Sequence, residues 1–92
     1  MKLKLTILGG GESGIGAALL GVQKGYDVFL SDSGALQEAY KTVLERQNIP
    51  FEMGQHSESK ILEADLVVKS PGIPDTVPLV KALRAKGISV IS

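Results

Sequence analysis

Ninety-two residues, 43% of them hydrophobic, suffice for one domain with one core, but not for separate nucleotide and substrate domains. Ten Lys and Arg balance ten Asp and Glu, so no global field holds nucleic acid or an anionic membrane surface, and any phosphate binding has to be local. The absence of cysteine excludes a disulfide scaffold, a thiolate metal site and cysteine catalysis, and accords with a reducing cytoplasm.

Met1-Lys2-Leu3-Lys4 forms a short basic flank, but the apolar run after it breaks at glycines well short of the ~7–15 residues of a signal-peptide core. No stretch approaches the ~20 apolar residues of a membrane helix, so a soluble, cytoplasmic protein is expected. Leu3 to Leu8 reads as a buried strand, and Gly14 to about Lys24 as a helix whose small residues allow close packing on a sheet. Gly25 ends that helix, and Tyr26 to Leu30 is a second apolar run leading into Ser31-Asp32-Ser33-Gly34. Leu36, Tyr40, Val43 and Leu44 follow at the spacing of one helical stripe. Asn48-Ile49-Pro50 breaks it, Phe51 to Met53 is a short strand, and Gly54 to Ser59 is polar loop or helix start. Ile61, Leu62 and Ala64 form a short amphipathic piece before the β-branched strand Leu66-Val67-Val68. Ser70-Pro71-Gly72-Ile73-Pro74 then forces a sharp turn, since this run of prolines and glycine continues neither strand nor helix. Pro78 opens a last helix to Lys86 that turns Leu79, Val80 and Leu83 inward; Gly87 stops it, and Ile88 to Ile91 is a final strand. The chain stops at Ser92 just past that strand, without tail or capping helix, which suggests a piece of something longer.

Strands alternating with helices predict an α/β fold: a Rossmann-like parallel five-stranded sheet with right-handed crossovers and helices on both faces, in a single domain. In such sheets ligands bind beyond the strand carboxyl ends, where strand order reverses. Gly9–Gly14, Asp32–Gly34 and Ser70–Ile73 all fit that position and are expected to share one crevice.

Gly9-Gly10-Gly11-Glu12-Ser13-Gly14 is a G-x-G-x-x-G loop between a strand and a helix. Gly9 permits the tight turn, Gly11 lets backbone approach a pyrophosphate, and Gly14 lets the helix pack close to the strand. The amides of the helix start then face an anion, aided by the helix dipole. The competing reading is a tight connection that uses glycines for geometry alone. Ser13 supplies a hydroxyl to a phosphate oxygen or caps the helix. Asp32 sits roughly 20 residues past the loop, where an acidic residue grips a ribose hydroxyl in dinucleotide folds; otherwise it caps the next helix, with Ser33 as rival. Glu12 would be repelled by a pyrophosphate and is expected to point to solvent. His56 has no partner at metal-ligand spacing and reads as a surface histidine, and the lysines from Lys60 to Lys86 read as a solvated surface. There is no Gly-x-x-x-x-Gly-Lys-Ser/Thr motif and hence no Walker-type ATP site.

Ile7-Leu8-Gly9-Gly10-Gly11-Glu12-Ser13-Gly14, Ser31-Asp32 and Ala64-Asp65-Leu66-Val67-Val68-Lys69-Ser70-Pro71-Gly72-Ile73-Pro74 together resemble the N-terminal domain of the Mur ligases, in the branch that adds D-glutamate. The Ser-Pro-Gly-Ile turn after an apolar strand is the discriminating part, and the resemblance covers essentially the whole chain. It implies that residues 1–92 are the N-terminal UDP-binding Rossmann-like domain of a larger ligase whose central ATP-binding and C-terminal domains are absent. The family's ligand here is UDP-N-acetylmuramoyl-L-alanine. Its chemistry, an acyl phosphate made with ATP and magnesium and then attacked by the amine of D-glutamate, belongs to the missing domains. The resemblance thus implies no catalytic residue, metal or cofactor in this chain, with ATP and Mg2+ required by the parent enzyme. Carried over, Gly11, Glu12, Ser13 and Gly14 meet the diphosphate through backbone N–H groups and the Ser13 hydroxyl. Asp32 and Ser33 lie against the uridine, and Ser70, Pro71 and Gly72 border the uracil. Where some members place an arginine or other long polar residue soon after Asp32, this chain has Gly34-Ala35, so that contact is not carried over. The alternatives are an NAD- or adenine-nucleotide-binding domain of a dehydrogenase or regulator, which lacks any residue suited to hydride transfer here, and a folded fragment without affinity.

Overall fold

Along β1 (Lys4–Leu8) Leu5 and Ile7 project to one side of the sheet and Thr6 and Leu8 to the other, and all are buried. That double burial, the mark of a central strand covered on both faces, is seen in a computed structural model describing residues 1–92. β1 pairs in parallel with β2 (Asp27–Asp32) on one edge and β4 (Leu66–Lys69) on the other; β3 (Phe51–Met53) extends the sheet beyond β2, and β5 (Ser89–Ile91) beyond β4. The order is β3-β2-β1-β4-β5, all parallel, as the alternation of elements predicts.

The strand order moves outward from β1 in one direction and then reverses, so crossovers of one hand put the helices before the reversal on one face and those after it on the other. α1 (Glu12–Gln23) and α2 (Glu38–Arg46) contribute Ile15, Ala18 and Leu44 to a cluster with Leu5, Ile7, Val28 and Leu30. α3 (Glu58–Ile61) and α4 (Pro78–Ala85) contribute Ile61, Val80 and Leu83 to a second cluster with Leu8, Val67 and Val90. The core expected as one is thus divided by the sheet into two.

α1 packs on the sheet through Gly14, Ala18 and Gly21, which fall on one helical stripe; a Cβ on Gly21 would come within 2.6 Å of the Leu5 side chain. Leu36, expected within the α2 stripe, instead lies in irregular chain before that helix, buried over Gly10. No helix is long and apolar enough to cross a membrane.

Candidate functional site

The carboxyl ends of β1, β2 and β4 are knitted together by backbone. The Gly9 N–H donates to the Ser31 carbonyl at 2.8 Å, and the Ser70 N–H donates to the Leu8 carbonyl at 2.8 Å. Gly9 has φ +102°, and a Cβ there would sit 2.8 Å from the Cβ of Ser70, so both conformation and space require glycine. A Cβ on Gly14 would fall 1.9 Å from the Gly9 carbonyl oxygen, confirming its role in close helix–strand packing. Gly10, the variable position of the motif, is crowded by side chains rather than backbone: a Cβ there would lie 2.0 Å from a methyl of Leu36, which would have to shift.

Gly11 differs. It is the N-cap of α1 with φ −76° and ψ −170°, extended backbone open to any residue, and a Cβ there would meet nothing within 4 Å. The first α1 amide with a backbone acceptor is that of Ile15, which donates to the Gly11 carbonyl; the N–H groups of Glu12, Ser13 and Gly14 find no acceptor in the chain. Glu12 and Ser13 are exposed, and Ser13, inside the first turn, does not cap the helix.

Asp32 is the last residue of β2 and joins two of the segments. One carboxylate oxygen accepts from the Gly10 N–H at 2.6 Å and the other from the Gly34 N–H at 2.8 Å. It therefore fixes the glycine loop rather than capping α2, whose N-cap is Gln37; Ser33, exposed, does not cap it either. Each carboxylate oxygen retains a second lone pair.

Two cavities open at this end of the sheet, both bordered by Leu8. One, of about 320 Å³, is lined by Ser13, Gly14, Ser70 and Pro71, where α1 begins and β4 ends. The other, of about 300 Å³, is lined by Ser33, Gly72 and Ile73 together with His56. The structure thus brings Ser13 and Gly14 to Ser70 and Pro71, and Ser33 to Gly72; Asp32 is tied to the glycine loop, while Gly11 and Glu12 form the exposed rim at the start of α1.

Two residues read as surface from sequence are not. Lys69 is only 6% exposed: its Nζ donates to the Ile73 carbonyl at 2.9 Å and the Ser92 hydroxyl at 3.2 Å, with Asp75 at 3.6 Å, so it pins the Ser70–Pro74 turn from beneath. Strand alternation held the signal, since Lys69 shares the buried face of Val67. His56 is half-buried, with Nδ1 2.7 Å from the hydroxyl of fully buried Ser31. Glu52, paired with Ser31 across β2 and β3, accepts from Ser31 at 2.7 Å and from the Ser57 N–H and hydroxyl at 2.6 and 2.5 Å. Burial raises the Glu52 pKa, but the Ser57 and Ser31 hydrogen bonds and the Lys60 charge outweigh it and hold the carboxyl below 4.5. No group of three or more His, Cys, Asp or Glu is placed to hold a metal ion.

A family model described as the Mur ligase MurD-like N-terminal domain matches residues 3–92. The UDP-N-acetylmuramoylalanine--D-glutamate ligases of Christiangramia forsetii and Cytophaga hutchinsonii are each 56% identical over all 92 residues, which span 21% and 20% of those proteins. Among solved structures, the UDP-N-acetylmuramate-alanine ligase MurC of Thermotoga maritima matches with a TM-score of 0.79 at 27% identity, over 97% of this chain and 20% of that one. A murein peptide ligase of Psychrobacter arcticus, at 24% identity and a TM-score of 0.84 over 98% of this chain and 19% of its own, shares the fold. The chain spans about a fifth of the length of the curated relatives it matches.

Proposed function

Because the chain belongs to the MurD-like N-terminal domain family of the Mur ligases, we propose that it anchors the UDP group of UDP-N-acetylmuramoyl-L-alanine for an ATP-dependent ligase that adds D-glutamate to this peptidoglycan precursor. The observation that carries the reading is Gly11 with its neighbours: a glycine the fold does not need stands before three amides without acceptors. A diphosphate supplies those acceptors, and the missing Cβ leaves it room.

In this reading Gly11, Glu12, Ser13 and Gly14 hold the diphosphate, with Glu12 contributing its amide and keeping its carboxylate in solvent. Asp32 and Ser33 lie against the uridine, and the free lone pairs of Asp32 suit a ribose hydroxyl. Ser70, Pro71 and Gly72 border the uracil, on a turn held by Lys69. Residues 1–92 then act as one binding domain of a larger cytoplasmic ligase. ATP and Mg2+ do not fit this chain, which has neither a Gly-Lys-Ser/Thr phosphate loop nor a cluster of ligands for the ion. Carboxylate activation and attack by the D-glutamate amine are accordingly assigned to the remainder of the enzyme, and the fragment by itself is expected to be inactive.

Amide chemical shifts recorded during titration with UDP-N-acetylmuramoyl-L-alanine, UDP and NAD test the proposal. Shifts at Gly11–Gly14 and around Asp32 with the two uridine ligands are expected at millimolar concentration. Shifts with NAD alone would replace the proposal with a dinucleotide site, and silence with all three would leave a folded domain without affinity.

A further inference from the structure

The cavity beside Gly72 contains a side chain that the diphosphate reading leaves unused. His56 lines it with Ser33, Gly72 and Ile73, and counting protons in its hydrogen-bond network determines what the ring offers. Ser31 Oγ lies 2.7 Å from Glu52 Oε2 and 2.7 Å from His56 Nδ1. An ionised carboxylate only accepts and a hydroxyl has one proton; the hydrogen bonds that hold Glu52 ionised therefore direct the Ser31 proton to Glu52. The Gln55 carbonyl, 3.4 Å from Ser31 Oγ, is another acceptor and changes nothing for the ring. His56 Nδ1 must then carry the hydrogen and donate it to Ser31. In the neutral imidazole Nε2 is consequently a bare acceptor. Nε2 has no partner within the chain, and no buried side-chain nitrogen or oxygen is left unpartnered, so this atom is accessible.

We propose that His56 is a specificity-determining residue of the uridine site, its Nε2 accepting a hydrogen bond from the imide N3–H of uracil. The inference rests on the UDP reading above. Uracil presents a donor at N3, whereas cytosine presents an unprotonated nitrogen there, which would set two acceptors against each other. Ser31 and Glu52 are positioning residues in this arrangement, because they hold the tautomer that leaves Nε2 free.

The test is titration of the chain with UDP, CDP and N3-methyl-UDP, followed by amide shifts, in wild type and in His56→Leu, His56→Gln and Ser31→Ala. Wild type is expected to bind UDP about 3- to 10-fold more tightly than either analogue, the range of one net hydrogen bond. His56→Leu should bring the ratio to about one. His56→Gln, with an amide oxygen as acceptor, should restore part of the preference, and Ser31→Ala should reduce it. UDP binding with a ratio unchanged by His56→Leu overturns this inference while the UDP reading stands; no UDP binding overturns both. If His56→Leu fails to fold, wild type alone decides, and equal affinity for UDP and N3-methyl-UDP overturns the inference.

Discussion

A Cβ on residue 14 would fall 1.9 Å from the Gly9 carbonyl oxygen, which cannot retreat without dragging the end of β1 with it. Two residues further along α1, Gly16 is exposed and a Cβ there would meet nothing. One substitution should therefore act oppositely at these two positions. Gly14→Ala is expected to destabilise by about 3 kcal/mol through overpacking, lowering Tm by roughly 10–20 °C in a domain of this size. Gly16→Ala should raise stability by about 0.5–1 kcal/mol by restricting the unfolded chain and favouring the helix. Gly11→Val separates folding from binding: the extended backbone accepts valine with a loss of about 1 kcal/mol at the N-cap, but the side chain would occupy the approach to the free amides, and UDP shifts should vanish. Thermal unfolding followed by circular dichroism, with UDP titration of each folded variant, checks the set. A Gly11→Val protein that still binds UDP would remove the main support for the diphosphate site.

The elements legible in the sequence are those whose signal is periodic. β3 spans the residues predicted, α1 and α4 match to within a turn, and β2 runs two residues past the apolar segment because Ser31 and Asp32 stay in the ladder despite their polarity. The glycine loop, Asp32 and the Ser-Pro-Gly-Ile turn were legible as a group because topology alone brings the carboxyl ends of parallel strands together. The Ser31–Glu52–His56–Ser57 network was not: it depends on the β2–β3 register that pairs Ser31 with Glu52, which no local pattern specifies. That network joins β3 to the chain entering α3, and its stability should follow pH. Because the folded-state pKa of Glu52 is lowered from 4.5, its contribution is complete above 4.5 and is lost as pH falls through the lowered value. Wild type should thus exceed Glu52→Gln in Tm near neutral pH, and the gap should narrow as the solution is taken to about pH 3. A gap independent of pH would mean that Glu52 acts through packing rather than charge.

Across the whole molecule, β1 is the one strand that places buried hydrophobic residues in both cores: Leu5 and Ile7 belong to the cluster under α1 and α2, Leu8 to the cluster under α3 and α4, whereas β2 and β4 reach their second core only with the partly buried Phe29, Leu66 and Val68. Both cavities border Leu8, where the two halves meet and strand order reverses. In the proposed function the ligand-facing surface is this end of the sheet, and the two cavities, of about 320 and 300 Å³, are assigned to a nucleoside diphosphate rather than to a sugar peptide in addition. In the proposed function the muramoyl-alanine portion extends away from this chain, toward the part of the relatives' length it does not span. Affinity should divide accordingly. The 92-residue chain is expected to bind UDP and UDP-N-acetylmuramoyl-L-alanine with dissociation constants within about threefold of each other. When the remaining domains are joined in one polypeptide, contacts to the peptide become intramolecular and the sugar-peptide ligand should gain about a hundredfold or more over UDP. Calorimetric titration of both ligands into both proteins measures the division. A strong preference for the sugar peptide by the 92-residue chain alone would place muramoyl contacts on this domain, and the exposed rim formed by Gly11, Glu12 and Ser13 would be the first surface to probe by substitution.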